Sequence, residues 1–141
     1  QSRSSAASDV YKRQLIEGDS QKSLEKLKEL CRILEVEFEE VDSKKRLHYH
    51  LAASFANNFT NHILSLTDEL VNKFKLEKKF FIPIANETFK KFQSNKSKES
   101  QTGPAVRNDV KTLKKHEEIL KKSNYLNLYK IITKSIKKND L

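Results

Sequence analysis

One loop of the sequence combines residue types that could bind an anion. It runs from Thr102 to Asp109 and contains one of the two glycines, one of the two prolines and the only arginine after residue 46. Asp109 is placed to cap a following helix by accepting hydrogen bonds from its first free amides. Arg107 would then lie just before a helix N-terminus, where the helix dipole and a guanidinium both favour a carboxylate or phosphate. The alternative is a rigid turn in which Arg107 pairs with a nearby acid.

Two histidines, His50 and His116, are candidates for acid–base chemistry, because imidazole titrates near neutral pH. The competing interpretation of each is a hydrogen-bonded core residue. His48 and His50 are two residues apart and face different sides of a helix, which excludes them as a metal-binding pair. The sequence has neither a glycine-rich phosphate loop nor a serine-hydrolase motif. We therefore expect that this chain cannot hold a dinucleotide by itself.

A long uncharged segment must position His50. Between Arg46 and Asp68 lie twenty-one residues without Lys, Arg, Asp or Glu, in a chain that is 33% charged. The apolar residues recur at helical spacing and predict one helix of about thirty residues: Leu47, Leu51, Phe55, Phe59, Ile63, Leu66, Leu70 and Phe74. A helix with no charge on any side should be buried, at the centre of a bundle or of a dimer. Its many His, Asn, Ser and Thr residues argue against a membrane span.

Neutral polar residues form a stripe along this predicted helix, because they too recur at helical spacing. They are His50, Ser54, Asn57 or Asn58, and Asn61. Burying such a group without a partner costs about 1–3 kcal/mol. We expect the stripe to meet another helix, a ligand or another domain, and the pattern does not separate a structural network from a ligand-facing one.

The rest of the chain predicts a mainly helical fold. A strand ending near Ile16, a helix over residues 24–34 and a short strand over 36–41 make one βαβ step, as in a piece of a larger domain. Three further helices should follow the uncharged one. They begin near Pro83, after Asp109 and near Asn124, with a polar connection over 94–101. Residues 1–14 lack an apolar period and are interpreted as a disordered tail or a non-native fusion.

Composition narrows the class of protein. Two glycines and two prolines are too few for a sandwich or barrel. The net charge of +9 comes mainly from lysines in short runs, with only five arginines, which favours a solvated surface over a nucleic-acid interface. Cys31, the single cysteine, is expected to be a core residue. With no signal-peptide pattern, we expect a reduced, cytoplasmic setting.

Two blocks of the sequence resemble a known family. Residues 49–59 resemble its Tyr-His-x-Ala-Ala…Asn-Phe helix, and residues 101–109 with Thr112 and His116 resemble its Thr-Gly-Pro…Arg-x-Asp…Thr…His block. Ile82-Pro83-Ile84, followed by Glu87-Thr88, looks like its intervening helix. The family joins a Rossmann-like N-terminal domain to a helical domain of unknown function. It is similar to pyrroline-5-carboxylate reductase and the 6-phosphogluconate dehydrogenase group. The resemblance runs from about Leu15 to Ile136.

The resemblance implies a fold and an activity. Residues 15–42 would be the last part of a dinucleotide-binding domain. Residues 43–141 would be a helical bundle, like the C-terminal domain of 6-phosphogluconate dehydrogenase, that binds substrate and forms a homodimer. The whole would be an NAD(P)-dependent oxidoreductase. NADP or NAD would be bound mainly by an N-terminal domain that this chain lacks, so the chain alone should be inactive. The alternative is a non-enzymatic helical dimerisation module.

The resemblance also implies site residues. The candidate catalytic positions are His50, Asn58 and His116, and the candidate substrate-binding positions are Thr102, Arg107 and Asp109. On this interpretation Arg107 anchors a small acidic substrate, His50 or His116 handles a proton and Asn58 orients the substrate. No metal and no membrane or nucleic-acid partner is expected.

Overall fold

The computed structural model describes residues 13–94 and 96–138. The chain divides into two compact units, Gln1–Leu76 and Glu77–Leu141. Most of the stretch interpreted as a tail, residues 1–12, lies outside the described residues. Arg13 and Gln14, however, are the first residues of a strand. Backbone pairing with β2 holds these two polar residues in the strand. Such pairing does not require apolar side chains, so the apolar pattern of the sequence did not reveal where the strand begins.

The first unit begins with a βαβ step. Strand β1 (Arg13–Ile16) and strand β2 (Glu37–Glu40) pair in parallel, and helix α1 (Gln21–Ile33) crosses between them. The buried residues of this step are Ile16, Leu24 and Cys31, with Leu27, Val36 and Phe38 packed against them. The predicted βαβ step and the predicted core position of Cys31 are both confirmed.

Local signals in the sequence fix both ends of α1. Ser20 caps the first turn, because its side chain accepts from the Ser23 amide while the Ser23 side chain accepts from the Ser20 amide. At the other end Glu35 adopts a left-handed conformation with φ 51°. The Val36 amide then donates to the Cys31 carbonyl at 3.0 Å, which closes the helix and turns the chain into β2.

One long helical run follows, as the spacing of apolar residues predicted. It consists of α2 (Ser43–Ala53), a π-helical segment (Ser54–Phe59) and α3 (Thr60–Lys73). The Asp42 side chain caps it by accepting from the Lys45 amide at 2.6 Å. The π-helical segment was not predicted. Its wider turn rotates the faces of α3 relative to those of α2, so the neutral stripe drawn at constant spacing is broken before Asn61.

Most of this run is exposed in the single chain. Leu51 is 58%, Phe55 62% and Phe59 52% exposed, and its buried residues are Leu66 and Val71. The prediction that the uncharged helix is buried is therefore wrong for one chain. At 1.5 Å per residue the run is about 45 Å long, and the small βαβ step cannot cover such a length. None of the helices in the described part of the chain is long and apolar enough to cross a membrane.

The second unit is helical throughout its described elements. A short 3₁₀ turn (Lys78–Phe80) leads into α4 (Ile82–Gln93), and α5 (Val110–Leu120) and α6 (Leu126–Lys138) follow. Pro83 lies in the first turn of α4, where its missing N–H costs no hydrogen bond. Ala105, Leu113 and Leu120 are buried. The predicted fold class, a mainly helical domain after a short βαβ step, is confirmed.

Candidate functional site

The loop between α4 and α5 holds Arg107 through its own backbone. Gly103 has φ 111°, a conformation that favours glycine, and its carbonyl accepts from the Arg107 amide at 3.2 Å. The Pro104 carbonyl accepts from the Asp109 amide at 2.9 Å, and Ala105, within the same turn, is buried. The glycine and proline of this loop thus build a closed turn that ends at the N-terminus of α5. Thr102 is exposed, and its carbonyl accepts from the Gln101 side chain at 3.2 Å.

Asp109 caps α5, as predicted. One carboxylate oxygen accepts from the Thr112 amide at 3.0 Å, and the other accepts from the Thr112 hydroxyl at 2.7 Å. The bond from the amide, then that from the hydroxyl and, more weakly, the charge of Arg107 hold the pKa of the Asp109 carboxyl below its ordinary value. Both oxygens are therefore used by the cap.

Arg107 itself is exposed. Among residues 13–94 and 96–138, no hydrogen bond or ion pair of its guanidinium is seen, although its charge acts on Asp109. The alternative prediction, a turn locked by an Arg107 ion pair, is not what the described residues form. A guanidinium held next to a helix N-terminus is suited to a carboxylate or phosphate.

His116 lies on α5 and contacts α6. Its Nδ1 is 2.9 Å from the hydroxyl oxygen of Tyr129, both residues are half-buried, and the two rings meet edge to face. An ion pair between Lys130 and Glu117, at 3.4 Å, joins the same two helices. The sequence predicted His116 as a candidate but gave Tyr129 only as part of an apolar helix face. No signal of spacing links two residues on different helices.

His50 and Asn58 lie in the first unit, and both are exposed. His50 is on α2, and its carbonyl accepts from the Ser54 hydroxyl at 3.0 Å. Asn58 lies in the π-helical segment, where its side-chain oxygen accepts from the Asn57 amide group at 3.4 Å. Single π turns inside α-helices occur frequently at functional sites. This segment is the structural feature near Asn58 that constant spacing could not reveal.

Two carboxylates attach the start of α2 to the βαβ step. Glu39 of β2 accepts from the Lys45 ammonium and from the Tyr49 hydroxyl. Those bonds, Lys45 first, lower the pKa of the Glu39 carboxyl, and the same Glu39 contact raises the pKa of the Tyr49 phenol. After β1, Glu17 accepts from Ser43 at 2.6 Å and from Arg46 at 3.2 Å. These attachments fix the part of α2 that precedes His50, up to the neighbouring residue Tyr49.

The two groups of predicted residues fall in different compact units. Thr102, Arg107, Asp109 and His116 belong to Glu77–Leu141, whereas His50 and Asn58 belong to Gln1–Leu76.

The net charges of the two units also differ. Residues 77–141 contain 16 Lys and Arg against 7 Asp and Glu, and residues 1–76 contain 12 of each, so the whole excess of +9 lies in the second unit. Such a field favours acidic ligands.

The described residues form neither a metal-binding cluster nor a glycine-rich turn for a nucleotide phosphate. The described residues contain no group of three or more His, Cys, Asp or Glu side chains that could hold a metal ion. Neither glycine of the chain belongs to a glycine-rich phosphate turn. At Gly18, a Cβ would lie 2.8 Å from the Leu24 backbone nitrogen, so this glycine allows α1 to pack closely after β1.

Comparisons with known proteins identify similar chains. A family model described as "Domain of unknown function (DUF2520)" matches residues 13–136. A crystal structure of a Bacteroides fragilis protein, described as a "putative NADP oxidoreductase", matches with a TM-score of 0.81 and 34% sequence identity. The match covers 88% of this chain and 48% of the other, so the chain spans about half the length of that structure. No curated protein matches the chain.

Proposed function

The chain belongs to the DUF2520 family, a domain of unknown function, and we propose that it is the substrate-binding and dimerisation domain of an NAD(P)-dependent oxidoreductase. The observation that carries this proposal is the likeness to the Bacteroides fragilis structure, at 34% identity, through both the βαβ step and the helices. The name of that protein supplies the reaction class. The residues of this chain supply the assignment of roles.

The βαβ step supports the proposal that a dinucleotide-binding domain adjoins these helices. Parallel sheets normally have several strands and both faces covered, and a two-stranded sheet alone is marginal in water. The pair of β1 and β2 is such a sheet. We propose that it completes a larger parallel sheet. Neither glycine of the chain belongs to a glycine-rich phosphate turn, so the proposal assigns nucleotide binding to that larger sheet.

The second unit supports recognition of an acidic substrate. Arg107 is exposed beside the N-terminus of α5, and the surrounding unit carries the entire positive excess of the chain. In the proposed function Arg107 binds a carboxylate or phosphate of the substrate, with Thr102 next to it in the same loop. His116 exchanges a hydrogen bond or proton with the substrate. In the first unit, His50 and Asn58 are separate candidates for polar contact with a ligand.

The exposed apolar residues of the uncharged helix support the proposal that the chain forms a homodimer. Its large apolar residues are exposed in the single chain, including Leu47, Leu51, Phe55 and Phe59. A contiguous apolar surface of this kind is typical of an interface. The segment has no charged residue to repel an identical segment, and Ala52, Ala53 and Ala56 allow a close approach between helices. A second copy of this chain is therefore the proposed partner.

The proposal is tested on a protein that joins this chain to the proposed dinucleotide-binding domain, by titrating it with NADPH and with NADH in a calorimeter. We expect saturable binding of one of them. If neither binds, the oxidoreductase assignment fails, and a dimer without nucleotide affinity would instead identify a non-enzymatic dimerisation module.

The substrate role of Arg107 is tested separately. Small carboxylic and phosphorylated acids are screened for a rise in melting temperature, and the best of them is titrated into variants. Arg107→Ala should strongly lower the affinity for that acid while leaving the affinity for the nucleotide unchanged. Lys111→Ala, which removes one positive charge from the exposed surface of α5, is the matched control. An equal loss of affinity in both variants would show that the acid responds to the overall positive charge and not to Arg107 in particular.

A further inference from the structure

The contact between His116 and Tyr129 defines how the imidazole can act. Nδ1 of His116 lies 2.9 Å from the Tyr129 hydroxyl oxygen, and the ring planes meet at 79° with centroids 5.8 Å apart. A neutral imidazole has one nitrogen that donates and one that accepts, and the partner of one nitrogen determines which is which. Tyr129 can therefore select the tautomer of His116.

The chemistry of the two groups favours one arrangement. A phenol O–H is a stronger donor than an imidazole N–H, and an unprotonated imidazole nitrogen is a stronger acceptor than a phenol oxygen, whose lone pair is delocalised into the ring. Tyr129 should accordingly donate to Nδ1. The imidazole proton is then carried by Nε2, for which the described residues show no hydrogen-bond partner.

We propose that Tyr129 is a positioning residue that holds His116 with its proton on Nε2. His116 then offers a hydrogen-bond donor, rather than a base, to an acceptor oxygen of a ligand, such as a carbonyl or carboxylate oxygen. His116 follows Thr112 by four residues, so the two lie on one face of α5, and Thr112 is the residue that the Asp109 cap contacts. That face leads to the capped N-terminus next to Arg107. The identity of the ligand rests on the proposed function, whereas the tautomer does not.

The experiment measures the tautomer directly. The whole chain is labelled with ¹⁵N at its four histidines, and long-range proton–nitrogen correlations are recorded at a pH of about 8.5, where an ordinary imidazole is neutral. The His116→Gln variant identifies the signals of His116. We expect Nδ1 to have the shift of an unprotonated nitrogen and Nε2 that of a protonated one. Tyr129→Phe should convert this into an averaged mixture of the two tautomers.

A matched control separates the hydroxyl from the packing of the helices. Lys130→Gln removes the neighbouring ion pair between α5 and α6 and keeps the Tyr129 hydroxyl, so the tautomer should stay fixed. A proton found on Nδ1 of the unmodified chain would overturn the proposal, and that spectrum decides even if Tyr129→Phe does not fold. An unchanged tautomer in folded Tyr129→Phe would also overturn it. Failure of nucleotide binding would instead count against the proposed function alone.

Discussion

Asp109 and Thr112 form a two-point contact that starts helix α5: the carboxylate accepts from the Thr112 amide at 3.0 Å and from its hydroxyl at 2.7 Å. The same carboxylate follows Arg107 by two residues. The cap therefore fixes the helix end that would face an acidic ligand, and it links the stability of α5 to the geometry of the proposed anion site.

Replacing Asp109 should separate capping from charge. Asp109→Ala removes the acceptor for two donors and should lower the melting temperature by several degrees. Asp109→Asn keeps a side-chain acceptor that caps helices well, so it should cost much less. The two variants are compared by circular dichroism during heating. Equal losses would show that the negative charge, and not the cap, stabilises α5.

Acid should loosen the attachment of α2 to the βαβ step. The Glu39 pKa is lowered mainly by Lys45 and the Glu17 pKa mainly by Ser43, so both carboxyls release protons more readily in the folded chain than in the unfolded one. Their stabilisation is complete above the ordinary glutamate pKa, about 4.3, and is lost as the pH falls through the lower folded values. Urea unfolding midpoints should therefore begin to fall as the pH drops below that ordinary value.

The double variant Glu17→Gln, Glu39→Gln tests the origin of that acid sensitivity. It should be less stable than the unmodified chain at neutral pH and should show a flatter decline at low pH. Glu29→Gln on α1, a glutamate for which no partner is seen within the described ranges, is the control and should leave the profile unchanged. A double variant whose stability declined with acid as that of the unmodified chain does would assign the acid sensitivity to other carboxyls.

Gly18 should not tolerate a side chain. A Cβ there would lie 2.8 Å from the Leu24 backbone nitrogen and 3.0 Å from the Leu24 Cα, so the first turn of α1 would have to move. We expect Gly18→Ala to lower the free energy of unfolding by about 1–3 kcal/mol, the usual cost of overpacking. Lys26→Ala, on the exposed side of α1, should change it by less than about 0.5 kcal/mol. Chemical denaturation measures both, and a neutral Gly18→Ala would mean that β1 and α1 are less closely packed.

A charge on the uncharged helix should prevent dimerisation. Phe55 is 62% exposed in the single chain, so Phe55→Glu should leave the chain folded while placing a carboxylate in the proposed interface. Light scattering after gel filtration should then give the molar mass of one chain instead of two. Leu34→Glu, at the exposed end of α1, is the control and should remain dimeric. A Phe55→Glu protein that still dimerises would exclude this part of the helix from the interface.

The sequence by itself determined the elements and their order. Helical spacing, the caps at Ser20, Asp42 and Asp109, and Pro83 in a first turn all act within a few residues, so a single chain segment contains the whole signal. The strand–helix–strand step, the core position of Cys31 and the long helix were predicted on this basis. The capping role of Asp109 could be predicted for the same reason.

Only the tertiary structure decided what these elements contact. The pairing of His116 with Tyr129 and the attachment of Lys45 and Tyr49 to Glu39 depend on how separate elements meet in space, which spacing along one helix does not encode. The π-helical segment at Asn58 and the exposure of Phe55 and Phe59 also departed from the sequence prediction. Hydrophobic periodicity shows which face needs cover, but whether the same chain provides that cover depends on the size and placement of its neighbours.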